Sequence, residues 1–339
     1  MVFGLGLLVN AVLVAIPIGG SVGTLMGIDA HRAATGQKPL FSGHNEDSIG
    51  HGGGGGGGGD STGDGGNHHT TTGDGVKHTQ YCDLSWGITP PSKTEQYTLN
   101  PNQWGVTSDT TGNGLCMNVT TFNNQTYAPQ TAPQFTITWQ FDRGPESAPV
   151  HGYPNIRVDD VLPKALNKVS ELNLDLHWTY GLGNEPAEST DEQALKDENL
   201  STNVAIDMFL DSDADKAKNG SNAKFEVMIW FWMSSIAAQP HGWGKPGIKR
   251  TVEGTTFTLY NGENEHQQRV LSWVPEKITE RFSGDIYPLI TDLYNLEGDK
   301  YPAKDDYLGS LSFGTEAYDV DKNVTFWADE YRIDIKTLD

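Results

Sequence analysis

The chain of 339 residues reads as an all-β protein, a β-sandwich or jelly roll carrying one amphipathic helix. Three observations lead there. Short runs of alternating apolar and polar residues recur from about Gln80 to the end. Gly, Asn, Pro and Asp separate these runs, and helical spacing occurs in one place. Alternation with period two gives each strand two distinct faces, and many such strands between turn residues make a two-sheet architecture.

Residues 1–28 contain no Asp, Glu, Lys, Arg or His, and an apolar run of about 20 residues can cross a bilayer. Pro17, Gly19, Gly20 and Gly23 suit the end of a secretory signal, so secretion is the expectation, with an uncleaved membrane anchor as the alternative. Residues 29–79 form a polar linker that includes Gly52–Gly59, a composition that buries too little apolar surface to offset its conformational entropy. His51, His68, His69 and His78 lie there without the ligand spacing of a structural metal site, so no metal is expected. Residues 80–339 are expected to fold as one domain. A formal charge of −21 argues against nucleic acid and against anionic lipid surfaces, both of which need a basic face. It leaves a neutral polymer open as a partner. Two cysteines, Cys82 and Cys116, could close one disulfide in an oxidising compartment or remain buried thiols. Sequons at Asn118, Asn124, Asn199, Asn219 and Asn323 fit a secreted chain.

Within the domain, the runs at 135–141, 171–177, 203–210, 256–260, 269–274, 308–313 and 324–335 alternate as strands. Ile286, Leu289, Ile290, Leu293 and Leu296 recur at helical spacing instead, with Ser283 as a possible cap and Gly298 as a stop. This helix is expected to pack on the outer face of a sheet.

The run at 225–232 organises the rest. As a strand, it puts Phe225, Val227, Ile229 and Phe231 on a wholly apolar face, and Glu226, Met228, Trp230 and Trp232 on the other. A carboxylate in line with indoles suits a sugar chain, whose ring faces lie on aromatics while the acid reaches the glycosidic bond. A second acid, Glu316, shares a face with Ser312, Gly314 and Tyr318, and a third, Asp207, faces away from Val204, Ile206, Met208 and Leu210. Glycoside hydrolysis uses two opposed carboxyl groups. Each of these acids taken singly also fits a solvated strand face.

Together they carry a resemblance. Phe-Glu-Val-Met-Ile-Trp at 225–230 and Gly-Thr-Glu at 314–316 resemble the two catalytic strands of glycoside hydrolase family 12. Cys82-Asp83 with Trp86, Asn102-Gln103-Trp104-Gly105, Cys116, Trp139-Gln140, Val204-Ala205-Ile206-Asp207 and Ser283-Gly284-Asp285 follow in the family's order. The resemblance spans Tyr81 to Ile335. It implies a two-sheet jelly roll with a long cleft and retaining endo-hydrolysis of β-1,4-glucans by a monomer that needs no cofactor. It further implies Glu226 as nucleophile, Glu316 as acid/base and Asp207 as hydrogen-bond partner of the nucleophile. Asn102 and Trp104 would form a glucose platform on the non-reducing side, with Met228 and Trp230 lining the floor beside the nucleophile and Cys82 joined to Cys116; Tyr318, by strand alternation on the face of Glu316, adds an aromatic to the substrate site. The sequence departs at Ala317-Tyr318, where Pro-Phe is common, and at the bulky Phe231-Trp232. A long polar insertion, 211–224, lacks the Tyr-Ser-Gly of many cellulose-active members, which points toward a branched glucan such as xyloglucan. The alternative from another class is a glucan-binding jelly roll, or a surface interaction protein, without hydrolysis.

Overall fold

The structure is a computed structural model. It describes residues 68–338 apart from 74–75, 92–95, 123–131, 147, 160, 236–237 and 265–266. Residues 1–28, most of the linker and the sequon at Asn124 therefore lie outside the described residues.

The chain first forms β1 (His68–Gly73), β2 (Val76–Tyr81), β3 (Tyr97–Asn100), β4 (Gly112–Phe122), β5 (Gln134–Phe141) and β6 (Asn155–Val158). The short β7 (Lys164–Ala165) precedes β8 (Val169–Leu182), helix α1 (Glu192–Asp197), β9 (Ser201–Asp211) and helix α2 (Ala214–Ala217). Then come β10 (Phe225–Met233), β11 (Lys249–Val252), β12 (Thr255–Glu263), β13 (Arg269–Pro275) and β14 (Arg281–Asp285). Helix α3 (Tyr287–Asn295), β15 (Tyr307–Asp319) and β16 (Val324–Thr337) complete it.

The strands make two sheets. One runs β1-β2-β4-β5-β16-β8-β14, and the other runs β11-β12-β13-β10-β9-β15-β6-β3 with β7 paired to β15. The expected sandwich is therefore present. The folded region starts earlier than the expected boundary at Gln80, because β1 and β2 pair as a hairpin that β2 joins to β4. Cys82 and Cys116 are bonded, next to the Tyr81–Met117 register pair of those strands.

Aromatic side chains fill the space between the sheets. Trp178, Tyr180 and Phe326 come from one sheet and meet Phe231, Trp232 and Phe313 of the other within one buried cluster. Fully burying a side chain of this size contributes roughly 1.5–3 kcal/mol, so this layer holds the two sheets face to face.

Helix α3 departs from expectation at both its start and its seat. Ser283 is inside β14, and Asp285 instead accepts the Tyr287 amide at 2.9 Å. Pro288 is tolerated because it sits in the first turn, where its missing N–H would have no helical partner. Leu289, Ile290 and Leu293 belong to the core between the sheets, and the Trp273 indole donates to the Leu289 carbonyl at 3.1 Å. Trp273 alternates with the cleft-facing Ser272, so α3 covers the inner face of the nine-stranded sheet, not an outer one.

Candidate active site

The outer face of the nine-stranded sheet holds the acids. β10, β9 and β15 are neighbours at its centre. Met228 pairs with Asp207 and Asp207 with Ser312, so one cross-strand row carries the third acid between the two strands that bear the others. Glu226 stands opposite Phe209, and Glu316 opposite Asn203. Those two β9 positions are six residues apart, about 20 Å along a flat strand. Glu226 and Glu316 nevertheless line one cavity of about 20 Å³ with Met228, Trp230, Ser272 and Tyr318. The sheet must curve into a trough for that to happen, so that acids rooted on opposite slopes converge. Gly314 permits a close fit on the β15 slope, since a Cβ there would lie 2.1 Å from the Pro154 carbonyl oxygen.

Burial dominates the electrostatics. Asp207, Glu226 and Glu316 are 0%, 2% and 6% exposed. Desolvation, and then the charge of Glu316, push the Glu226 carboxyl up to about 8. Desolvation pushes Glu316 up to about 7, against hydrogen bonds from Asn203 and Tyr318 that favour its ionised form. Asp207 lies well above the carboxylate range through burial, then through Glu226 and Glu316. Three buried like charges cannot all form, so the cluster retains protons at neutral pH.

The hydrogen bonding is lopsided. The Asn203 amide and the Tyr318 hydroxyl both donate to Glu316 Oε2. Asn264 favours the ionised form of Glu226, and the Met208 amide that of Asp207, while Glu226 Oε2 and both oxygens of Asp207 are buried with no well-formed hydrogen bond. Asn102 Oδ1, Trp104 Nε1 and Ser272 Oγ are buried without partners as well. An unpaired buried polar atom costs about 1–3 kcal/mol, and here such atoms gather around one trough.

Trp104 packs beside Tyr318, Val150 and Ala238 at the trough's edge. Asn102 is held in the left-handed region at φ 44°, and its amide donates to the Tyr153 carbonyl at 3.1 Å. The neighbouring Gln103 amide donates to the Cys82 carbonyl at 2.8 Å, which ties this loop to the disulfide. The Trp230 indole donates to Met228 Sδ at 3.3 Å. The trough is roofed by Gln239, Pro240 and His241, which line the same small cavity. Burial holds the His241 imidazole below its usual pKa.

The structure thus gathers Glu226, Glu316, Met228, Trp230 and Tyr318 around the cavity, with Asp207 beneath and Trp104 and Asn102 at the rim. Trp232 is excluded. A bulge between Trp230 and Trp232 shifts the register, and Trp232 turns inward against Trp178 and Tyr180. The bulky Phe231-Trp232 pair therefore neither extends nor blocks the trough. Sequence reasoning passed over Asn203, Ser272, Asn264 and the roof. Asn203 was detectable, since it lies four residues before Asp207 and so on the same strand face. The roof is loop, without a period to read.

The sequence profile of glycosyl hydrolase family 12 matches residues 95–336. The chain belongs to this family. Its relatives include a xyloglucan-specific endo-β-1,4-glucanase A of Aspergillus aculeatus, 28% identical over 240 residues that cover 71% of this chain and 86% of the relative. A probable xyloglucan-specific endo-β-1,4-glucanase A of Aspergillus terreus is 27% identical over 243 residues, 72% of this chain and 82% of the relative. Among solved structures, the family 12 endoglucanase 3 of Trichoderma harzianum aligns with a TM-score of 0.59 at 23% identity, covering 76% of this chain and 98% of that one. The family 12 xyloglucanase of Bacillus licheniformis aligns with a TM-score of 0.54 at 16% identity, covering 76% and 100%. At these identities the structural likeness is one of fold, the family 12 jelly roll. The chain is accordingly a glycoside hydrolase of a β-glucan-cleaving family.

Proposed function

We propose that the protein is a secreted, retaining endo-β-1,4-glucanase, with xyloglucan as its preferred polymer. The observation that carries this reading is the convergence of Glu226 and Glu316 on one buried cavity beside Asp207, whose oxygens have no well-formed hydrogen bond. In the first step, protonated Glu316 gives its proton to the departing glucan oxygen while a Glu226 carboxylate oxygen attacks the anomeric carbon. In the second, Glu316 takes a proton from water, and that water displaces Glu226 with a second inversion, so the anomeric configuration is retained.

Asp207 makes Glu226 fit for attack. Its own pKa lies well above the carboxylate range, so at neutral pH it keeps its proton and can donate to the unpartnered Glu226 Oε2. Diagonal cross-strand positions are within reach of side chains of this length. A hydrogen bond to the charged form lowers the Glu226 pKa and readies it as nucleophile. Asn203 and Tyr318 orient Glu316. Trp104 and Asn102 would hold a sugar on the non-reducing side, where Trp104 Nε1 and Asn102 Oδ1 still lack partners.

The preference for xyloglucan rests on the printed substrates of the Aspergillus relatives and on the missing Tyr-Ser-Gly in the 211–224 insertion. Secretion rests on residues 1–28, and no helix among the described residues is long and apolar enough to cross a membrane. A monomer is expected. The test is reducing-end release from xyloglucan and from an unbranched β-1,4-glucan by the parent and by Glu226→Gln, with the anomer of the first product read by NMR. Release by the parent alone, with the β-anomer formed first, is expected. An α-anomer formed first would mean inversion and would end this assignment.

A further inference from the structure

A second aromatic surface lies on the other side of the acids from Trp104. Trp243 is 38% exposed. It stacks on Tyr260 with ring centroids 5.0 Å apart and an interplanar angle of 30°. One face of the indole is covered by the tyrosine, and more than a third of the residue remains open to solvent.

Three observations connect this pair to the trough. Tyr260 on β12 packs against the cluster of Met228, Trp230, Val270 and Val274 that forms the trough floor. In register, Tyr260 pairs with Ser272, and Ser272 with Met228. The row therefore runs from the catalytic floor outward over two strand spacings, roughly 10 Å. Between its ends sits the Ser272 hydroxyl, fully buried and without a hydrogen-bond partner. Finally, Trp243 is two residues beyond His241, which lines the catalytic cavity. The segment is fixed at that place by the Trp243 amide donating to the Pro240 carbonyl at 3.1 Å and by Gly247 donating to the Leu259 carbonyl at 2.7 Å. Gly262 lets it lie close to β12, since a Cβ there would meet His241 Cβ at 2.4 Å.

We infer that Trp243, backed by Tyr260, is a sugar-binding platform for the part of the glucan that leaves first, and that Ser272 offers that strand of sugars a hydrogen bond on the way. This rests on the glucanase reading above, in which Trp104 holds the non-reducing side. The chemistry fits a neutral polysaccharide. An indole face takes the apolar C–H face of a pyranose, a lone hydroxyl takes a sugar hydroxyl, and neither Trp243, Tyr260 nor Ser272 carries charge.

The test compares Trp243→Ala and Trp243→Phe with the parent, on xyloglucan, on an unbranched β-1,4-glucan and on an aryl β-cellobioside. The aryl substrate has no sugar beyond the bond that breaks. Trp243→Ala is expected to raise KM on both polymers about tenfold, equivalent to about 1.4 kcal/mol of lost binding, with kcat nearly unchanged. Turnover of the aryl cellobioside should be unaffected, and Trp243→Phe should restore most of the polymer KM. An equal loss on polymer and aryl substrate would make Trp243 an anchor for the roof and overturn the platform. Unchanged KM on polymers would overturn it too while leaving the glucanase reading intact. A parent that cleaves the aryl substrate and neither polymer would remove both proposals.

Discussion

The two faces of β10 differ in a single respect that decides what each does. Phe225, Val227, Ile229 and Phe231 are 0% exposed and packed into the apolar layer between the sheets. Glu226, Met228 and Trp230 are almost as buried, at 2–4%, yet Glu226 Oε2 and both oxygens of the adjacent Asp207 have no well-formed hydrogen bond. Equal burial therefore has opposite energetic signs on the two faces. On the inner face it removes apolar surface from water and stabilises the fold. On the trough face it strips solvent from carboxyls and costs stability, which is tolerable only because the apolar layer beneath holds the backbone in place. Strain of this kind concentrates where a protein must act on something else.

Substitutions on the two faces should separate function from stability. The largest effect is expected from Glu226→Gln, with reducing-end release falling about 10⁴-fold, or about 5.4 kcal/mol of lost transition-state stabilisation. Its melting temperature should be no lower than the parent's, and a large drop would show that Glu226 supports the fold. Phe231→Ala should do the reverse. A cavity between the sheets costs about 3–5 kcal/mol, read as a lower denaturation midpoint, while turnover by the remaining folded enzyme stays close to parental.

Cys116→Ser tests whether the rim depends on a remote constraint. Opening the bond to Cys82, 34 residues away, should cost about 3–4 kcal/mol. Because Gln103 is bonded to the Cys82 carbonyl, KM should rise as well. A stability loss with KM unchanged would show that the loop carrying Asn102 and Trp104 holds its own shape.

The smallest effect is a pH dependence whose sign follows from the raised carboxyls. With Glu226 pushed up to about 8 and Glu316 to about 7, the folded state binds protons more tightly than the unfolded chain. The protection is complete below the unfolded value near 4.5 and is lost as pH rises through 7 to 8. The melting temperature should therefore fall from about pH 4.5 to about pH 8, and less steeply in Glu226→Gln. An identical slope in both proteins would place the titration elsewhere.

Much of this was legible in the chain. The alternation at 225–231 assigned every side chain to its face, and the same rule put Asp207 opposite Val204, Ile206, Met208 and Leu210. Period two survives any regular sheet, whatever lies next to it. The rule failed one residue later. Trp232 faces the core because of a bulge, and a bulge is a local shift in pairing that depends on the partner strand. Ser283 was misread for a similar reason, since a good capping residue is also an acceptable strand residue, and pairing with β8 decided between the two. Asn203 was in reach of the alternation argument, whereas Trp243 and the roof were not, because loops carry no periodicity.

What the sequence determined by itself is the composition of each face: two glutamates with aromatic company, an aspartate backed by apolar neighbours, and enough strands to bury one side of each. These are properties of residue order along 3.3 Å steps. Only the tertiary structure decided that Glu226 and Glu316, on different strands and six register positions apart, meet at one cavity. That convergence comes from the curvature of a nine-stranded sheet packed over an aromatic layer. Curvature is the summed result of twist and packing across strands distant in the chain, so no single stretch of sequence contains it.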